Sequence, residues 1–143
     1  MKLVVQRVKN ATLSVEGKLI SEIGKGLVVF LGIGKDDSEK EIEFFSKKIA
    51  NMRIFEDENG KMNLSIKDIG GEILLVSQFT LYANTSHGNR PSFFEAEEPK
   101  RANLMYEQFC LSLMDYDIPV KKGVFGADMQ IVQHNDGPVT IIL

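Results

Sequence analysis

The spacing of apolar and polar residues predicts a chain built mainly from β-strands. Residues 73–76 read I-L-L-V, a continuously apolar run that is typical of a strand buried on both faces. This run leads directly into Ser77, Gln78 and Thr80, while Phe79 continues the apolar alternation. Polar groups at the end of a buried strand need hydrogen-bond partners or face a cleft. We therefore expect a functional site where this strand ends.

Similar apolar runs, separated by turn-forming residues, predict the other strands. They fall at residues 3–8, 11–15, 19–23, 27–31, 53–55, 129–132 and 139–143. Because residues 27–31 are wholly apolar, we expect this strand to be buried together with residues 73–76. Lys9 and Asn10 are expected to separate the first two strands, and residues 61–69 fit either a short strand or an irregular loop.

Two stretches with apolar residues at helical spacing predict helices. The first begins at Ser38, which forms with Glu41 the sequence signature of a capping box. The second begins at Pro99, because proline favours the first helical turn. The positions expected to face the core are Ile42, Phe45, Ile49 and Met52 in the first helix and Leu104, Met105, Phe109, Leu113 and Met114 in the second. The pattern predicts an α+β fold, a sheet with two helices packed on it, in one domain spanning residues 1–143.

The bulk composition restricts the class of function. The chain has 143 residues, of which 26% are charged and 43% apolar, ordinary values for a soluble globular protein. Its formal net charge of −3 argues against broad binding to a nucleic-acid duplex, DNA included, but leaves room for a small footprint on one RNA end. No signal peptide is evident, and no apolar run approaches the ~20 residues of a membrane span. We expect a cytoplasmic protein that binds neither membranes nor DNA.

The few cysteine and histidine residues form no recognisable metal-site pattern. Cys110 is the only cysteine, so a disulfide within the chain is excluded, and a packed thiol is the favoured interpretation. His87 lies in the polar stretch 83–98, and His134 precedes a turn; we interpret both as solvated or packed residues. Neither a metal nor a cofactor is predicted.

Ser77 and Thr80 are candidate nucleophiles, but the sequence does not display the base that either would need. The G-x-S-x-G motif of α/β-hydrolases is absent, because Leu75 and Phe79 flank Ser77 where glycines would stand. Hydroxyl groups that bond to the backbone at a strand end are the preferred interpretation, and the approach of a histidine in the fold is the alternative.

A tight turn is predicted at Asn135-Asp136-Gly137-Pro138, between the last two strands. A proline in a tight turn is one of the few settings for a cis peptide, although trans is the commoner outcome. Gly137 has no Cβ, which lets the backbone approach a ligand closely.

Taken together, these stretches resemble the D-aminoacyl-tRNA deacylase family, also called D-Tyr-tRNA deacylase. The similarity runs over essentially the whole chain, and Gln133-His134 departs from a pattern that is more often apolar there. The matching segments are residues 6–8, 53–55, 60–63, 77–81, 88–93, 125–129 and 135–140. Two signatures, Ser77-Gln78-Phe79-Thr80-Leu81 and Asn135-Asp136-Gly137-Pro138-Val139-Thr140, stand at the separation that the family has.

The resemblance implies a barrel-like fold with an antiparallel or mixed sheet, and an enzyme that needs no cofactor. Its partner would be the 3′ acceptor end of aminoacyl-tRNA. It would hydrolyse the ester between a D-amino acid, or mischarged glycine, and the terminal adenosine. It would act as a cytoplasmic homodimer with the site at the subunit interface.

The resemblance also assigns roles to residues. Ser77, Gln78, Phe79 and Thr80 would form the catalytic part of the site. The substrate-binding residues would be Gly137, Pro138, Asn135, Met129, Phe125 and Arg7. A cis Gly137-Pro138 peptide would reach from one subunit into the pocket of the other, and Arg7 would orient that turn.

Elementary stereochemistry makes this division of roles reasonable. D- and L-aminoacyl groups differ only in the direction of the side chain, so rigid carbonyl groups at Gly137 and Pro138 would bind the ammonium and clash with an L side chain. The N–H groups of Phe79 and Thr80 would stabilise an oxyanion, a contribution of ~3 to 4 kcal/mol per donor. Thr80 is either a nucleophile or, as we favour, part of the wall while a tRNA ribose hydroxyl helps to activate water. Two other classes stay open: a non-catalytic RNA-end-binding domain and a serine or threonine hydrolase of small esters.

Overall fold

The computed structural model describes all residues from Met1 to Leu143 and confirms the α+β class with a mixed sheet. The strands are β1 (Lys2–Val15), β2 (Lys18–Ile23), β3 (Gly26–Gly32), β4 (Phe55–Glu56), β5 (Met62–Leu64), β6 (Glu72–Ser77), β7 (Val120–Lys122) and β8 (Gln130–Ile142). The helices are α1 (Glu39–Asn51), α2 (Pro99–Met114) and a 3-10 helix at Phe79–Tyr82. Neither α-helix combines the length and apolar character that crossing a membrane requires.

The main sheet has six strands and curls into a nearly closed, barrel-like form. Its order is β2-β1-β3-β6-β7, and β8 pairs with β1. The β3–β6 and β6–β7 pairs are parallel, whereas β1 runs antiparallel to β2, β3 and β8. The short strands β4 and β5 form a separate hairpin. β1 is therefore the strand around which the sheet is assembled.

Strand β6 is buried on both faces, as its apolar run predicts. Ile73 and Leu75 belong to the larger core, which α1 and α2 cover. Leu74 and Val76 belong to a smaller core on the opposite face of the sheet. β6 lies beside the equally apolar β3, so the two strands pack at the centre of the fold. The polar end of β6 therefore follows directly on the most deeply buried part of the fold.

Both predicted helices are present, but part of the predicted buried stripe of α2 is wrong. Ser38 caps α1 and forms the expected capping box with Glu41. Pro99 occupies the first turn of α2. Leu104 and Met114 are exposed, because α2 turns Ala102, Met105, Tyr106, Phe109, Cys110 and Leu113 inward instead.

Two predicted interruptions in the strands are bulges rather than breaks. β1 continues through Lys9 and Asn10, where one extra residue shifts the register against β8. The predicted tight turn at residues 135–138 lies inside β8. Between the pairs Gln6↔Thr140 and Val8↔Asn135, β1 contributes one residue and β8 contributes four. The sequence does not reveal these bulges, because the long-range pairing between β1 and β8 keeps both segments extended where local residues favour a break.

The predicted strand at residues 53–55 is displaced, and the uncertain segment 61–69 is resolved. β4 begins at Phe55, and β5 occupies Met62–Leu64, followed by turns. Asp57 accepts hydrogen bonds from the backbone of Asn59 and Lys61, which fixes the hairpin turn.

A buried carboxylate joins the end of β3 to the start of the chain. Asp37 is only 9% exposed, and it forms an ion pair with the amino group of Met1. Its other oxygen accepts a hydrogen bond from the N–H of Gly34 at 2.7 Å and from the hydroxyl of Tyr82 at 3.2 Å. A buried charge with this number of partners ties three segments together.

We expect Asp37→Asn to lower the free energy of unfolding by about 1 to 3 kcal/mol, because hydrogen bonds to a charged acceptor contribute that much. Urea unfolding followed by circular dichroism measures the change. Asp36→Asn is the matched control, since Asp36 is exposed, and we expect a change of about 0.5 kcal/mol or less. Equal effects of the two substitutions would contradict this role of Asp37.

Candidate active site

The chain turns sharply where β6 ends, which corrects the expected continuation of the apolar alternation. Ser77 is the last residue of the strand, and Phe79–Tyr82 forms a 3-10 helix. The N–H of Gln78 still donates to the carbonyl of Leu31 at 2.8 Å, so the start of this helix is fixed to β3. The ring of Phe79 packs edge-on against that of Phe93, with 5.0 Å between the ring centroids.

A cleft of about 590 Å³ opens at this point, as the polar strand end predicted. Its walls are mainly apolar and come from four parts of the chain. They include Ser77, Gln78 and Phe79 after β6, Phe93, Ala96 and Glu97 before α2, Pro99 and Ala102 in α2, and Phe125 to Met129 before β8. An apolar cleft with few polar groups is the usual form of a small-ligand site.

Two backbone donors stand at the start of the 3-10 helix, beside the cleft. No backbone hydrogen bond outside the regular elements uses the N–H of Phe79 or of Thr80. The first N–H groups of a helix have no acceptor within it, so these two groups are available to a ligand. Adjacent free N–H groups of this kind are suited to an oxygen atom that carries negative charge.

The side chains around these donors do not form a nucleophile–base pair. The hydroxyl of Thr80 accepts a hydrogen bond from the amide of Gln78, which is not a base. His87 and His134 are both exposed, and neither lines the cleft. Cys110 is buried in the core, and burial raises the pKa of its thiol, so the packed interpretation is confirmed. The structure contains no group of three or more His, Cys, Asp or Glu residues that could hold a metal ion.

Arg7 stands opposite the four-residue bulge of β8 and is only 4% exposed. Its Nε donates to the carbonyl of Asp136 at 3.1 Å and lies 3.4 Å from the carboxylate of that residue. Its Nη1 donates to the carbonyl of Ile54 at 2.7 Å, and its Nη2 lies 3.7 Å from the carboxylate of Glu56. The guanidinium therefore connects the bulge to the β4 segment.

The bulge presents a cis peptide between Gly137 and Pro138, as the resemblance implied. Gly137 has a φ of +124°, a conformation that L side chains rarely adopt. A Cβ at this position would lie 3.0 Å from the backbone nitrogen of Val139 and 3.2 Å from Nη2 of Arg7. The backbone here leaves no room for a side chain.

We expect Gly137→Ala to lower the free energy of unfolding by about 2 to 4 kcal/mol, since both the positive φ and the close contacts oppose the methyl group. Gly88→Ala is the matched control, because Gly88 has a φ of +118° and open space around its Cβ position. The difference between the two variants in urea unfolding measures the contacts alone. If both variants lose the same stability, the contacts of the added methyl group with Val139 and Arg7 do not contribute to the effect.

The structure brings only part of the predicted site together within one chain. Ser77, Gln78, Phe79, Phe125 and Met129 line the cleft. Thr80 adjoins it, whereas Gly137, Pro138, Asn135 and Arg7 do not line it. The sequence reasoning did not single out Ile33, Ala96, Glu97 and Ala102 as cleft residues, because they are brought there only by the packing of β3 and α2. For Phe93 a signal existed, since it ends the matched loop 88–93.

Comparison with known proteins identifies the class. The sequence model of the D-Tyr-tRNA(Tyr) deacylase family matches residues 4–143. A D-aminoacyl-tRNA deacylase of Thermosipho africanus (strain TCF52B) is 52% identical over 143 residues, covering 100% of this chain and 96% of that protein. One from Chlorobaculum tepidum (strain ATCC 49652 / DSM 12025 / NBRC 103806 / TLS) is 54% identical over 144 residues, with the same coverages. The chain belongs to the D-aminoacyl-tRNA deacylase family.

Two solved structures are similar over nearly the full length. The structure titled "c-Myc DNA Unwinding Element Binding Protein" has a TM-score of 0.93 and 46% identity, covering 100% of this chain and 97% of the other. A probable eukaryotic D-amino acid tRNA deacylase has a TM-score of 0.84 at 16% identity, covering 99% and 97%. The second comparison supports the fold alone. It confirms the barrel-like α+β architecture.

Proposed function

We propose that this protein hydrolyses the ester bond of D-aminoacyl-tRNA, releasing free D-amino acid and tRNA. Membership in a family of aminoacyl-tRNA deacylases supports this activity. The observation that carries the assignment in the structure is the pair of N–H groups at Phe79 and Thr80, which open a 3-10 helix beside an apolar cleft. Glycine attached to tRNA is a second substrate on this proposal, because it has no side chain for the pocket to reject.

The proposed chemistry depends on backbone groups. Water attacks the ester carbonyl carbon, and the N–H groups of Phe79 and Thr80 stabilise the negative charge that develops on the carbonyl oxygen. The ester C–O bond then breaks, the terminal ribose leaves with a proton, and the carboxylate of the amino acid is released. Thr80 does not attack in this scheme, because its hydroxyl bonds to an amide and has no base beside it. A ribose hydroxyl of the tRNA helps to activate the water.

Chiral selection is assigned to the carbonyl groups of Gly137 and Pro138. They would bind the α-ammonium of a D-aminoacyl group and leave no space for an L side chain. Because neither residue lines the cleft of its own chain, we propose that a second copy supplies them. Each complete site then combines Phe79 of one subunit with Gly137 of the other.

Exposed features of β8 support a homodimer. β8 is 13 residues long and pairs with β1 along one of its edges. Its other edge has no partner strand, so the backbone groups there are free to pair with a second copy. On this strand Ile142 is 78% exposed and Val132 is 71% exposed, so apolar side chains are available to a second copy. Phe79, at the cleft, is 56% exposed.

The activity is tested by incubating the protein with D-Tyr-tRNA, L-Tyr-tRNA and the free ethyl ester of D-Tyr. Release of tyrosine from D-Tyr-tRNA alone supports the proposal. Release from the free ester indicates a small-ester hydrolase, and binding without release indicates a non-catalytic RNA-end-binding domain. Either of the last two results would overturn the assignment.

The shared site is tested by mixing two variants under conditions that exchange subunits. We expect both to be inactive, because Phe79→Pro removes an oxyanion donor and Gly137→Ala displaces the turn that carries the ammonium-binding carbonyls. If each site takes one residue from each subunit, mixed dimers contain one intact site, and activity recovers to about one quarter of the wild-type value. If both residues act within one chain, no intact site forms and no activity returns. Light scattering on the wild-type protein should give twice the 16.0 kDa mass of one chain.

The remaining expectations fit this proposal. A family model that spans residues 4–143 supports one domain. We place the enzyme in the cytoplasm, where its tRNA substrate is charged and used.

A further inference from the structure

Tyr82, at the far end of the 3-10 helix from the cleft, is partly buried and packs closely on the backbone that follows β3. A Cβ added to Gly34 would lie 2.5 Å from the hydroxyl oxygen of Tyr82 and 2.6 Å from its Cζ. A Cβ added to Gly32 would lie 3.3 Å from Cδ2 of the same ring. The ammonium of Lys2 lies over the ring, 4.5 Å from its centroid. The ring therefore rests directly on the backbone that follows β3, and only glycine permits this contact.

The hydroxyl of Tyr82 is fixed to the same backbone through Asp37. It donates to the Asp37 carboxylate at 3.2 Å, and the same oxygen accepts the N–H of Gly34 at 2.7 Å. Burial, followed by the negative charge of Asp37, raises the pKa of Tyr82 above its ordinary value. The hydroxyl thus stays protonated and keeps its role as a donor.

The 3-10 helix is too short to absorb a displacement at one end. It has four residues, with Phe79 at the cleft and Tyr82 at the opposite end. Its other backbone ties are the bond from the N–H of Gln78 to Leu31 and local bonds such as Ala83 N–H to the carbonyl of Thr80. The helix is thus anchored at both ends, by Gln78 on Leu31 and by Tyr82 on Gly34, and loss of the second anchor would let it tilt about the first.

We propose that Tyr82, seated on Gly34 and bonded to Asp37, is a positioning residue that holds the N–H groups of Phe79 and Thr80 in the geometry of an oxyanion site. The inference rests on the oxyanion role proposed above for these two N–H groups. It adds that the contact between Tyr82 and Gly34 sets their orientation. Tyr82 does not touch the reacting atoms; it acts through the helix that carries the donors.

The first test is Gly34→Ala, whose methyl group would displace the Tyr82 ring. We expect kcat for D-Tyr-tRNA to fall about 5- to 20-fold while KM changes less than about twofold, since the oxyanion exists only in the transition state. Tyr82→Phe, which loses the hydroxyl alone, should lower kcat by about 2- to 5-fold on the same reasoning. Rates are measured well below the unfolding temperature of each variant.

The second test is the double variant Gly34→Ala with Tyr82→Ala. If the two residues act through one contact, the double variant loses no more kcat than Tyr82→Ala alone, because the methyl group then meets no ring. Additive losses would contradict the contact.

Two matched controls lie away from the cleft. Tyr116 is partly buried and also has a lysine ammonium near its ring, that of Lys67 at 5.7 Å from the centroid. A Cβ at Gly71 would lie 3.0 Å from Cγ1 of Ile66. Tyr116→Phe and Gly71→Ala should change the unfolding temperature without changing kcat.

The outcomes separate this inference from the function on which it rests. If Gly34→Ala and Tyr82→Phe lower the unfolding temperature but leave kcat at the wild-type value, the contact is only structural and the inference is wrong. If Phe79→Pro retains full activity, the oxyanion assignment itself is wrong. An inactive wild-type protein would contradict the proposed function.

Discussion

Phe79→Pro is expected to lower kcat about 100-fold relative to Phe79→Ala, because it removes one N–H donor from the oxyanion site. Both variants lose the phenyl ring, so their ratio isolates the backbone group. Proline is compatible with the fold here, since Phe79 opens the 3-10 helix and Gln78 lies outside the α region that a following proline disfavours. Single-turnover hydrolysis of D-Tyr-tRNA measures the ratio.

Thr80→Ala completes this comparison, because it removes the hydroxyl and keeps the N–H. We expect it to retain most of the wild-type activity. A large loss of activity with intact tRNA binding would show that the Thr80 hydroxyl takes part in the reaction. Equal rates for Phe79→Pro and Phe79→Ala would show that the N–H of Phe79 does not stabilise the oxyanion.

Arg7→Ala is expected to lower the free energy of unfolding by about 3 to 5 kcal/mol, because it removes two hydrogen bonds from a buried charged donor, and each such bond contributes about 1.5 to 3 kcal/mol. The carbonyl of Ile54 and the backbone and carboxylate of Asp136 would lose their shared donor. Urea unfolding measures the stability, and D-Tyr-tRNA hydrolysis should be lost with the geometry of the bulge.

Arg7→Lys keeps the charge but not the planar fork of donors, so it should be stable enough to assay. We expect reduced activity with a smaller stability loss, of about 1 to 2 kcal/mol. Arg53→Ala is the control, because Arg53 also bonds to a backbone carbonyl, that of Asn63 at 2.8 Å, but is exposed. A loss of about 1 kcal/mol or less is expected there. Similar losses for Arg7 and Arg53 would mean that burial does not strengthen the contacts of Arg7.

Local features of the sequence predicted the elements well where short-range physics decides them. The capping box of Ser38 and Glu41 and the proline at the start of α2 depend on neighbours within one helical turn. The run I-L-L-V predicted a strand buried on both faces, because only a central strand can bury four consecutive apolar residues. The exposed Leu104 and Met114 show the limit, since the face that a helix buries depends on what it packs against.

The site was also predicted only in part, because its assembly depends on which distant segments pack together. The polar residues after β6 indicated a cleft, and two sequence signatures indicated the family. No local feature of the chain indicates that Tyr82 rests on Gly34, because those positions are 48 residues apart and meet only through the pairing of β3 with β6. Arg7 and the bulge of β8 are likewise brought together by strand pairing over more than 120 residues.

By itself the sequence determined the apolar cores of most strands, the helix starts and the polar end of β6, since these depend on hydrophobic periodicity and local capping. Only the tertiary structure decided that this end turns into a 3-10 helix whose first residues lie beside the cleft. It also decided that Gly137 and Pro138 lie in a bulge away from the cleft of their own chain. The physical reason is that hydrogen-bond register and packing between distant segments set these positions, and no single segment carries that information.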